Sequence, residues 1–280
     1  MTKETVLVVG LGEVGCALFQ LLEESGRFMT YGFDIDRQRM HAVHQDEIPK
    51  RVDTMHVCIP FLDEGEFVNA VEDYALRFNP KLVIIESTVM PGTTNKLHER
   101  CSCLVAHSPV RGMHKSPEHM KWELKRWTKY VGGAGAKDGE AACKHFEKLG
   151  LRTKLLSGCI ETELAKLFET TYRAWMITCF QEMHRISRFL RADFDEVTDF
   201  LTDTHRVRFD RPLMFPGVIG GHCLIPNVEL LLRSYDSEFL KLILKSNERR
   251  KQEMKEQSVR GEAEKIKDRA EALEQELTKT

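Results

Sequence analysis

The stretch "VLVVGLGEVGCAL", residues 6–18, decides the fold of the first half of the chain. It places Gly10, Gly12 and Gly15 in a G-x-G-x-x-G pattern, directly after an apolar run and at the start of an amphipathic one. In such a turn the first glycine bends the chain, the second lets the backbone approach a pyrophosphate, and the third lets the helix pack closely on the strand. The N–H groups of the first helical turn then bind phosphate. The stretch therefore predicts a dinucleotide-binding turn.

A carboxylate follows this turn at the distance that a dinucleotide fold needs. In "YGFD", Asp34 ends the second predicted strand, about twenty residues beyond the glycines. A carboxylate at that point accepts hydrogen bonds from the ribose hydroxyls and repels a 2′-phosphate, so we predict NAD rather than NADP. Arg37 lies close by in the sequence and leaves the choice open.

Apolar, β-branched runs alternate with amphipathic runs through the first half of the chain. Strands are predicted at 5–10, 29–33, 53–59, 81–87, 102–107, 128–133 and 152–156, with helices at 13–25, 64–78 and 137–149. This alternation is typical of a parallel sheet covered on both faces. We predict an α/β protein whose N-terminal Rossmann domain, a doubly wound parallel sheet, spans residues 1–157.

The pattern changes after Ser157. A long helix is predicted at 160–190, a second at 194–203, a Pro/Gly-rich loop at 211–227, and further helices from 228. We therefore predict an all-helical domain over 158–245 and a charged helical tail over 246–280. Apolar residues recur in the tail at spacings of four and three, as a short coiled coil or as a helix lying on its own domain. These are Val259, Ala263, Ile266, Ala270, Leu273 and Leu277.

The composition limits the functional classes. The 280 residues carry a formal net charge of −2 and are 42% hydrophobic and 30% charged. A small negative net charge does not favour binding to nucleic acid or to an anionic membrane. The eight cysteines are scattered along the chain, which predicts reduced thiols in a cytoplasmic protein. Cys101 and Cys103, in "CSC", are too close for the usual metal knuckle, and we interpret them as part of a strand.

One cysteine stands behind glycines. In "GVIGGHCLIPN", residues 217–227, Gly217, Gly220 and Gly221 precede Cys223. Glycines allow close approach of a ligand or another segment. A thiol that only fills a core needs no such approach, so the residue types alone leave a nucleophile, a metal ligand and a packing residue as alternatives.

Six segments together resemble the UDP-glucose/GDP-mannose 6-dehydrogenases, the nucleotide-sugar dehydrogenases, over roughly residues 4–250. The segments are "VVGLGEVG", "CIPF", "ESTVMPGTT", "HSPVRG", "ETELAKLFETTYRAW" and "GVIGGHCLIPN". The resemblance implies two NAD-dependent oxidations of a sugar CH₂OH to a carboxylate. In this family a cysteine forms a thiohemiacetal, whose oxidation leaves a thioester that water cleaves.

The resemblance also implies roles for individual residues. Cys223 is the nucleophile, Lys166 stabilises oxyanions, Thr88 positions water or substrate, and Asn227 takes the place of a catalytic aspartate. Cofactor contacts are expected from Gly10, Gly12, Glu13, Val14, Gly15, Asp34, Arg37, Pro60 and Thr88. Substrate contacts are expected from Arg208, Arg211, Gly220 and Gly221. The long helix is expected to form a homodimer.

The chain departs from the family pattern at four positions. Thr170 stands where the family carries asparagine, Asn227 where it carries aspartate, and Val110 and His114 where it carries glutamates. An amide cannot act as a general base, so thioester hydrolysis is the step most affected. The family's third domain, which closes over the nucleotide of the substrate, is not expected within these residues.

The sequence is also compatible with two other functions. A two-electron dehydrogenase of the 6-phosphogluconate or β-hydroxyacid type shares the layout and the helix lysine without needing Cys223. An inactive NAD-binding scaffold is compatible with the four departures. His107, His114 and His119 have no Cys or Asp partner at ligand spacing, so no metal site is predicted.

Overall fold

The computed structural model describes residues 3–40, 48–112, 116–221 and 223–277. Two compact units divide the chain, Met1–Lys166 and Leu167–Thr280. His114 and His222 lie outside the described residues. No helix within the described ranges is both long and apolar enough to cross a membrane.

The first unit alternates strands and helices. Its strands are β1 (Glu4–Val9), β2 (Phe28–Phe33), β3 (Thr54–Val57), β4 (Leu82–Ile85), β5 (Leu104–His107), β6 (Lys129–Gly133) and β7 (Thr153–Leu155). Its helices are α1 (Glu13–Glu24), α2 (Arg37–Met40), α3 (Glu64–Phe78), α4 (Thr93–Arg100), α5 (Pro117–Arg126) and α6 (Ala136–Lys148). Helix α7 (Cys159–Phe189) begins in this unit.

The seven strands form one sheet in the order β2-β1-β3-β4-β5-β6-β7. Neighbouring strands are parallel except β5 and β6, which pair antiparallel through Ala106 with Gly133 and His107 with Gly132. The predicted α/β class and mainly parallel sheet are confirmed. The antiparallel pair was not foreseen, because the apolar pattern of a buried strand does not encode its direction.

Helices cover both faces of the sheet. Val6 and Val8 of β1 face the side of α1, α5 and α6, where Phe146 is fully buried. Leu7 and Val9 face the side of α3 and α4. Alternate residues of a strand point to opposite faces, so a strand covered on both sides is apolar at every position. This explains why "VLVV" reads as a continuous run.

The described part of the second unit is helical. After the remainder of α7 come α8 (Phe194–Arg208), α9 (Leu224–Ser234), α10 (Glu238–Glu253) and α11 (Gln257–Leu277). Helix α8 continues five residues beyond its predicted end at 203 and stops where Phe209 adopts a left-handed φ of 58°. Helix α9 starts inside the predicted loop 211–227. Its first turn tolerates Pro226 because an N–H there has no intrahelical partner in any case.

The apolar seam of the tail packs on the second unit itself. Val259, Ala263, Ile266 and Leu273 are buried. Ile266 and Leu273 share a cluster with Phe180, and α11 lies against α8. Of the two alternatives for the seam, the structure shows a helix lying on its own unit. The boundaries 1–157, 158–245 and 246–280 remain a prediction.

Candidate functional site

The glycine-rich turn after β1 has no room for side chains at two positions. Gly10 has a φ of +87°, and a Cβ there would lie 2.6 Å from the Cys58 carbonyl oxygen. A Cβ on Gly15 would lie 1.7 Å from the Gly10 carbonyl oxygen, an impossible contact. Helix α1 then begins at Glu13, with Gly12 as an N-cap that supplies no side-chain hydrogen bond. The first-turn N–H groups of Glu13 and Val14 are therefore suited to a phosphate.

The predicted cofactor residues gather at one edge of the sheet. Since β2, β1, β3 and β4 are neighbours and parallel, their carboxyl ends meet at the same edge. Gly10, Asp34, Pro60 and Thr88 all follow the ends of these strands. The chain leaves β1 towards β2 on one side and returns to β3 on the other, which makes β1/β3 the switch point where such folds bind ligands.

Asp34 is buried and already accepts two backbone hydrogen bonds. Leu11 N donates to Oδ2 at 2.7 Å and Asp36 N donates to Oδ1 at 2.8 Å. The sequence predicted Arg37 as the cation near Asp34. In the structure the Arg37 side chain is exposed on α2. The structure instead brings Arg39 to this carboxylate, with Nη1 3.6 Å from Asp34 Oδ2. Arg39 was missed because α2 is a single helical turn whose orientation the sequence pattern does not define.

His107 joins the segment before Thr88 to the start of α7. Its Nε2 lies 3.1 Å from the Ser87 carbonyl oxygen, and its Nδ1 lies 2.8 Å from Thr162 Oγ1. A carbonyl oxygen only accepts, so Nε2 carries the proton. The Nδ1 atom of the neutral ring then competes with the Cys159 carbonyl oxygen, which lies 2.8 Å from Thr162 Oγ1, for the single proton of that hydroxyl. Burial, with the nearby charges of Lys129 and Lys166, lowers the pKa of His107 to about 4, which keeps the ring neutral.

Glu163 fixes the start of α4 to α7. Its fully buried carboxylate accepts from Gly92 N at 2.7 Å, Thr94 N at 2.9 Å and Thr94 Oγ1 at 2.6 Å. The N–H groups at the start of a helix need an acceptor from outside the helix. Gly92, the N-cap of α4, has no side chain that could supply one, and the Glu163 carboxylate takes that place. Burial nonetheless raises the pKa of Glu163. Glu163 was not singled out from the sequence, although the absence of a capping side chain before α4 was a visible signal.

A chain of buried polar groups lies beneath this edge. Lys129 Nζ donates to Glu86 Oε2 at 2.6 Å, and His56 Nδ1 lies 3.0 Å from Glu86 Oε1. His56 Nε2 lies 2.9 Å from His145 Nε2. Burial opposes ionisation of Glu86, but Lys129 and His56 outweigh it and hold its pKa below the usual value. Burial and the neighbouring His56 keep the pKa of His145 well below its usual value.

Two predicted catalytic residues of the first unit lie near these groups. Thr88 is partly buried, three residues after the end of β4. Lys166 is partly buried on α7, three residues after Glu163. Its positive charge is one of the causes that lower the pKa of His107.

Cys223 is exposed at the start of α9, where it occupies the N-cap position. Gly220 and Gly221 before it are exposed and have no heavy atom within 4 Å of an added Cβ. The same loop is anchored a few residues earlier. Gln181 Nε2 donates to the Gly217 carbonyl oxygen at 2.7 Å, and Ile219 N donates to Asn247 Oδ1 at 2.7 Å. An exposed thiol on an open backbone excludes the packing alternative.

Two of the departures from the family pattern contact each other. Asn227 is buried on α9, and its Nδ2 donates to Thr170 Oγ1 at 2.9 Å. The Thr170 hydroxyl in turn donates to the Leu167 carbonyl oxygen at 3.0 Å. The amide is thus held by a neutral hydroxyl. Val110, a third departure, is buried in the apolar core of the first unit.

The two predicted substrate arginines are exposed. Arg208 is the last residue of α8 rather than a loop residue, which corrects the prediction of its setting. Arg211 follows in the loop, where its Nη1 pairs with Asp210 at 2.6 Å. Exposure leaves both guanidinium groups accessible to solvent.

Residues 160–249 match the sequence model described as "UDP-glucose/GDP-mannose dehydrogenase family, central domain". The segment from α7 to α10 is thus similar to the central domain of that family. A UDP-N-acetyl-D-mannosamine dehydrogenase from Methanocaldococcus jannaschii is 27% identical over 259 residues, covering 78% of this chain and 59% of that protein. One from Pyrococcus horikoshii is 31% identical over 182 residues, covering 60% of this chain and 42% of that protein. The chain thus spans about three-fifths or less of these relatives.

Solved structures agree with the fold. The UDP-D-ManNAc dehydrogenase from Pyrococcus horikoshii has a TM-score of 0.71 at 24% identity and covers 88% of this chain and 68% of its own. The 3-hydroxyisobutyrate dehydrogenase from Mycobacterium tuberculosis has a TM-score of 0.66 at 15% identity and covers 91% of this chain and 95% of its own. At these identities the likeness concerns the fold alone.

Proposed function

We propose that this protein is an NAD-dependent oxidoreductase that oxidises the CH–OH group of a nucleotide sugar to a carboxylate. The observation that carries the proposal is the exposed Cys223 beside the open Gly220 and Gly221, within the segment that matches the family's central domain. A packing thiol would be buried, whereas a nucleophile must be reached by a substrate carbon.

The cofactor assignment rests on the first unit. The glycine turn at Gly10–Gly15, the uncapped start of α1 and the buried Asp34 fit the diphosphate and ribose of a dinucleotide. Asp34 favours NAD because a 2′-phosphate would meet its negative charge. Pro60 and Thr88 border the same edge. When bound, the nicotinamide accepts one hydride in each of two oxidations.

The residues of the chain carry the remaining steps. The Cys223 thiolate adds to the aldehyde carbon, forming a C–S bond and an oxyanion that takes up a proton to become a thiohemiacetal. After the second oxidation the thioester is attacked by water, the C–S bond breaks and the thiolate leaves. Lys166 supplies positive charge for the oxyanions, Thr88 orients water or substrate, and Arg208 and Arg211 bind the anionic part of the substrate.

A second candidate function is supported by one observation. Asn227, which donates to Thr170, offers no general base for the hydrolysis of a thioester. A two-electron oxidation of a β-hydroxyacid would use Lys166 and leave Cys223 without a role.

Within the main proposal, UDP-N-acetyl-D-mannosamine is the first substrate to test, because several relatives are named for it.

The protein is proposed to be a homodimer in the cytoplasm. Phe168, Tyr172 and Ile186 are exposed on α7 at helical spacing, an apolar stripe of the kind that a second subunit covers. All eight cysteines are free, as expected in a reducing compartment.

The experiment supplies a panel of nucleotide sugars and β-hydroxyacids and counts the NADH formed per substrate consumed. We expect about two NADH per nucleotide sugar. Cys223→Ala should lower acid formation by about 1,000-fold or more. Cys179→Ala is the matched control, since Cys179 is the other exposed thiol of the second unit. One NADH per hydroxyacid, with Cys223→Ala silent, would establish the second candidate instead.

A further inference from the structure

The loop before Cys223 passes from buried to exposed just ahead of the thiol. Gly217 and Ile219 are buried, Val218 between them is exposed, and Gly220 begins the exposed stretch that leads to the thiol. Alternating burial of this kind is typical of an extended segment with one face against its unit. The position of the thiol therefore depends on how firmly Ile219, the last buried residue before it, is held.

Asn247 of α10 holds the backbone of Ile219 at two points. Ile219 N donates to Asn247 Oδ1 at 2.7 Å, and Asn247 Nδ2 donates to the Ile219 carbonyl oxygen at 3.1 Å. Only 4% of Asn247 and 3% of Ile219 are exposed. A side-chain amide offers one acceptor and a donor side by side, so it satisfies both backbone groups of one residue as a neighbouring strand would. Each bond is made away from water, where losing it is costly.

A second buried amide holds the loop two residues earlier. Gln181 of α7 is fully buried, and its Nε2 donates to the Gly217 carbonyl oxygen at 2.7 Å. Its Oε1 accepts from Ser246 Oγ at 2.7 Å, and Ser246 Oγ accepts from Arg185 Nη1 at 2.9 Å. Since every polar atom of the Gln181 side chain is engaged in this way, its orientation is fixed. The loop is thus bonded to both α7 and α10.

The chain after Cys223 is fixed against the same helix. Helix α9 begins at Leu224 and packs against α10. Val228 and Leu231 of α9 are buried. The cysteine therefore stands between a bonded loop on one side and a packed helix on the other, and α10 contributes to both.

We propose that Asn247 is a positioning residue that sets the place of the Cys223 thiol, with Gln181 as a second anchor; this inference rests on the proposed function. Asn247 acts through the loop. In the second oxidation the thiolate must meet the aldehyde carbon at a defined distance and direction, and a misplacement of about 1 Å can slow such a step about 100-fold. The first oxidation forms no bond to sulfur. Loss of the anchor should therefore impair the second oxidation selectively.

The test compares Asn247→Ala with wild type, as full chains with NAD and a panel of nucleotide sugars that begins with UDP-N-acetyl-D-mannosamine. The kcat for acid formation should fall about 100-fold, with KM changed by less than about twofold. NADH formed per substrate should fall from about two towards one as aldehyde accumulates. The rate at which iodoacetamide alkylates Cys223 should change by less than about twofold, because a small diffusing reagent reaches an exposed thiol wherever the loop holds it.

Two further variants separate positioning from a loss of stability. Thr202→Val removes a buried hydrogen bond to the Thr198 carbonyl oxygen within α8, so it should lower stability while leaving the NADH stoichiometry at that of wild type. Gln181→Met has a similar volume and removes the bond to Gly217, so it should lower acid formation about tenfold. This variant tests the loop if Asn247→Ala folds poorly.

The possible outcomes distinguish this inference from the proposed function. A wild type that forms no NADH from any nucleotide sugar would remove the proposed function, and this inference with it. An active wild type whose acid formation is unchanged in the folded variants of Asn247 and Gln181 would overturn the inference alone. A variant that loses both oxidations in equal measure, with the stoichiometry of wild type, would also contradict it, because a displaced thiol affects only the second.

Discussion

The two units of the chain differ in how far their candidate site residues are buried. In Met1–Lys166, polar residues at the strand ends and in the first turns of α7 are buried and hydrogen-bonded, as Asp34, His107 and Glu163 show. In Leu167–Thr280 the residues proposed to attack or bind the substrate, Cys223, Arg208 and Arg211, are exposed, whereas Asn227 is buried. Most of the large apolar side chains that stay exposed in the described residues also lie in this second unit. A buried framework can hold a cofactor in one geometry, whereas an exposed loop leaves space for a substrate and a partner subunit.

The largest expected difference in stability between the two units concerns their glycines. Gly15→Ala places a Cβ 1.7 Å from the Gly10 carbonyl oxygen, so we expect the first unit to lose about 4 kcal/mol or more of stability. Gly220→Ala, with open space around its Cβ, should change stability by less than about 1 kcal/mol. Urea denaturation measures both. Equal losses would show that the turn is not tightly packed.

Acid should destabilise the first unit through its buried histidines. The pKa of His107 falls from 6.5 to about 4 on folding, so the unfolded chain binds the proton first as pH drops below 6.5. The contribution of the neutral His107 ring to the free energy of unfolding is fully present above about pH 6.5 and is lost as the pH falls to about 4. For this residue it amounts to about 3 kcal/mol. His145 acts in the same direction.

The measurement is urea unfolding between pH 7 and pH 4, followed by the fluorescence of Trp122 and Trp127, which lie in this unit. His107→Gln, which removes the group that titrates differently in the folded and unfolded chain, should flatten the pH dependence. A pH dependence that His107→Gln does not alter would argue against a buried neutral ring.

The apolar surface of the second unit predicts self-association. Tyr172→Asp puts a charge in the exposed stripe of α7, so the dimer should dissociate about 100-fold more readily. Leu76→Asp, at a similarly exposed position of the first unit, should have no effect. Light scattering over a range of concentrations measures both, and a monomeric wild type would rule the dimer out.

The smallest expected effect concerns thioester hydrolysis. Asn227 cannot accept a proton from water, so wild type should accumulate an acyl group on Cys223 that is visible by mass spectrometry. Asn227→Asp should speed hydrolysis about tenfold or more. Asn227→Ala, which removes the amide without adding a base, should not. Faster hydrolysis in Asn227→Ala would mean that the amide hinders water rather than merely failing to activate it.

The sequence by itself determined the local structure of the first unit. Gly10, Gly12 and Gly15 after "VLVV" specify a strand, a tight turn and a helix, because the backbone conformation and close approach required there exclude larger residues. Periodicity located all seven strands and the long helix α7 within a few residues. The heptad spacing of the tail also identified the face of α11 that is buried.

Only the tertiary structure decided which distant residues meet. It brought Arg39 rather than Arg37 to Asp34, paired Thr170 with Asn227, and placed Glu163 on the donors of α4. It also capped α4 at Cys101, started β5 only at Leu104, and reversed the direction of β6. The physical reason is common to these cases. Periodicity reports which face of an element is apolar, whereas hydrogen bonds between separate elements depend on the orientation and distance that packing alone establishes.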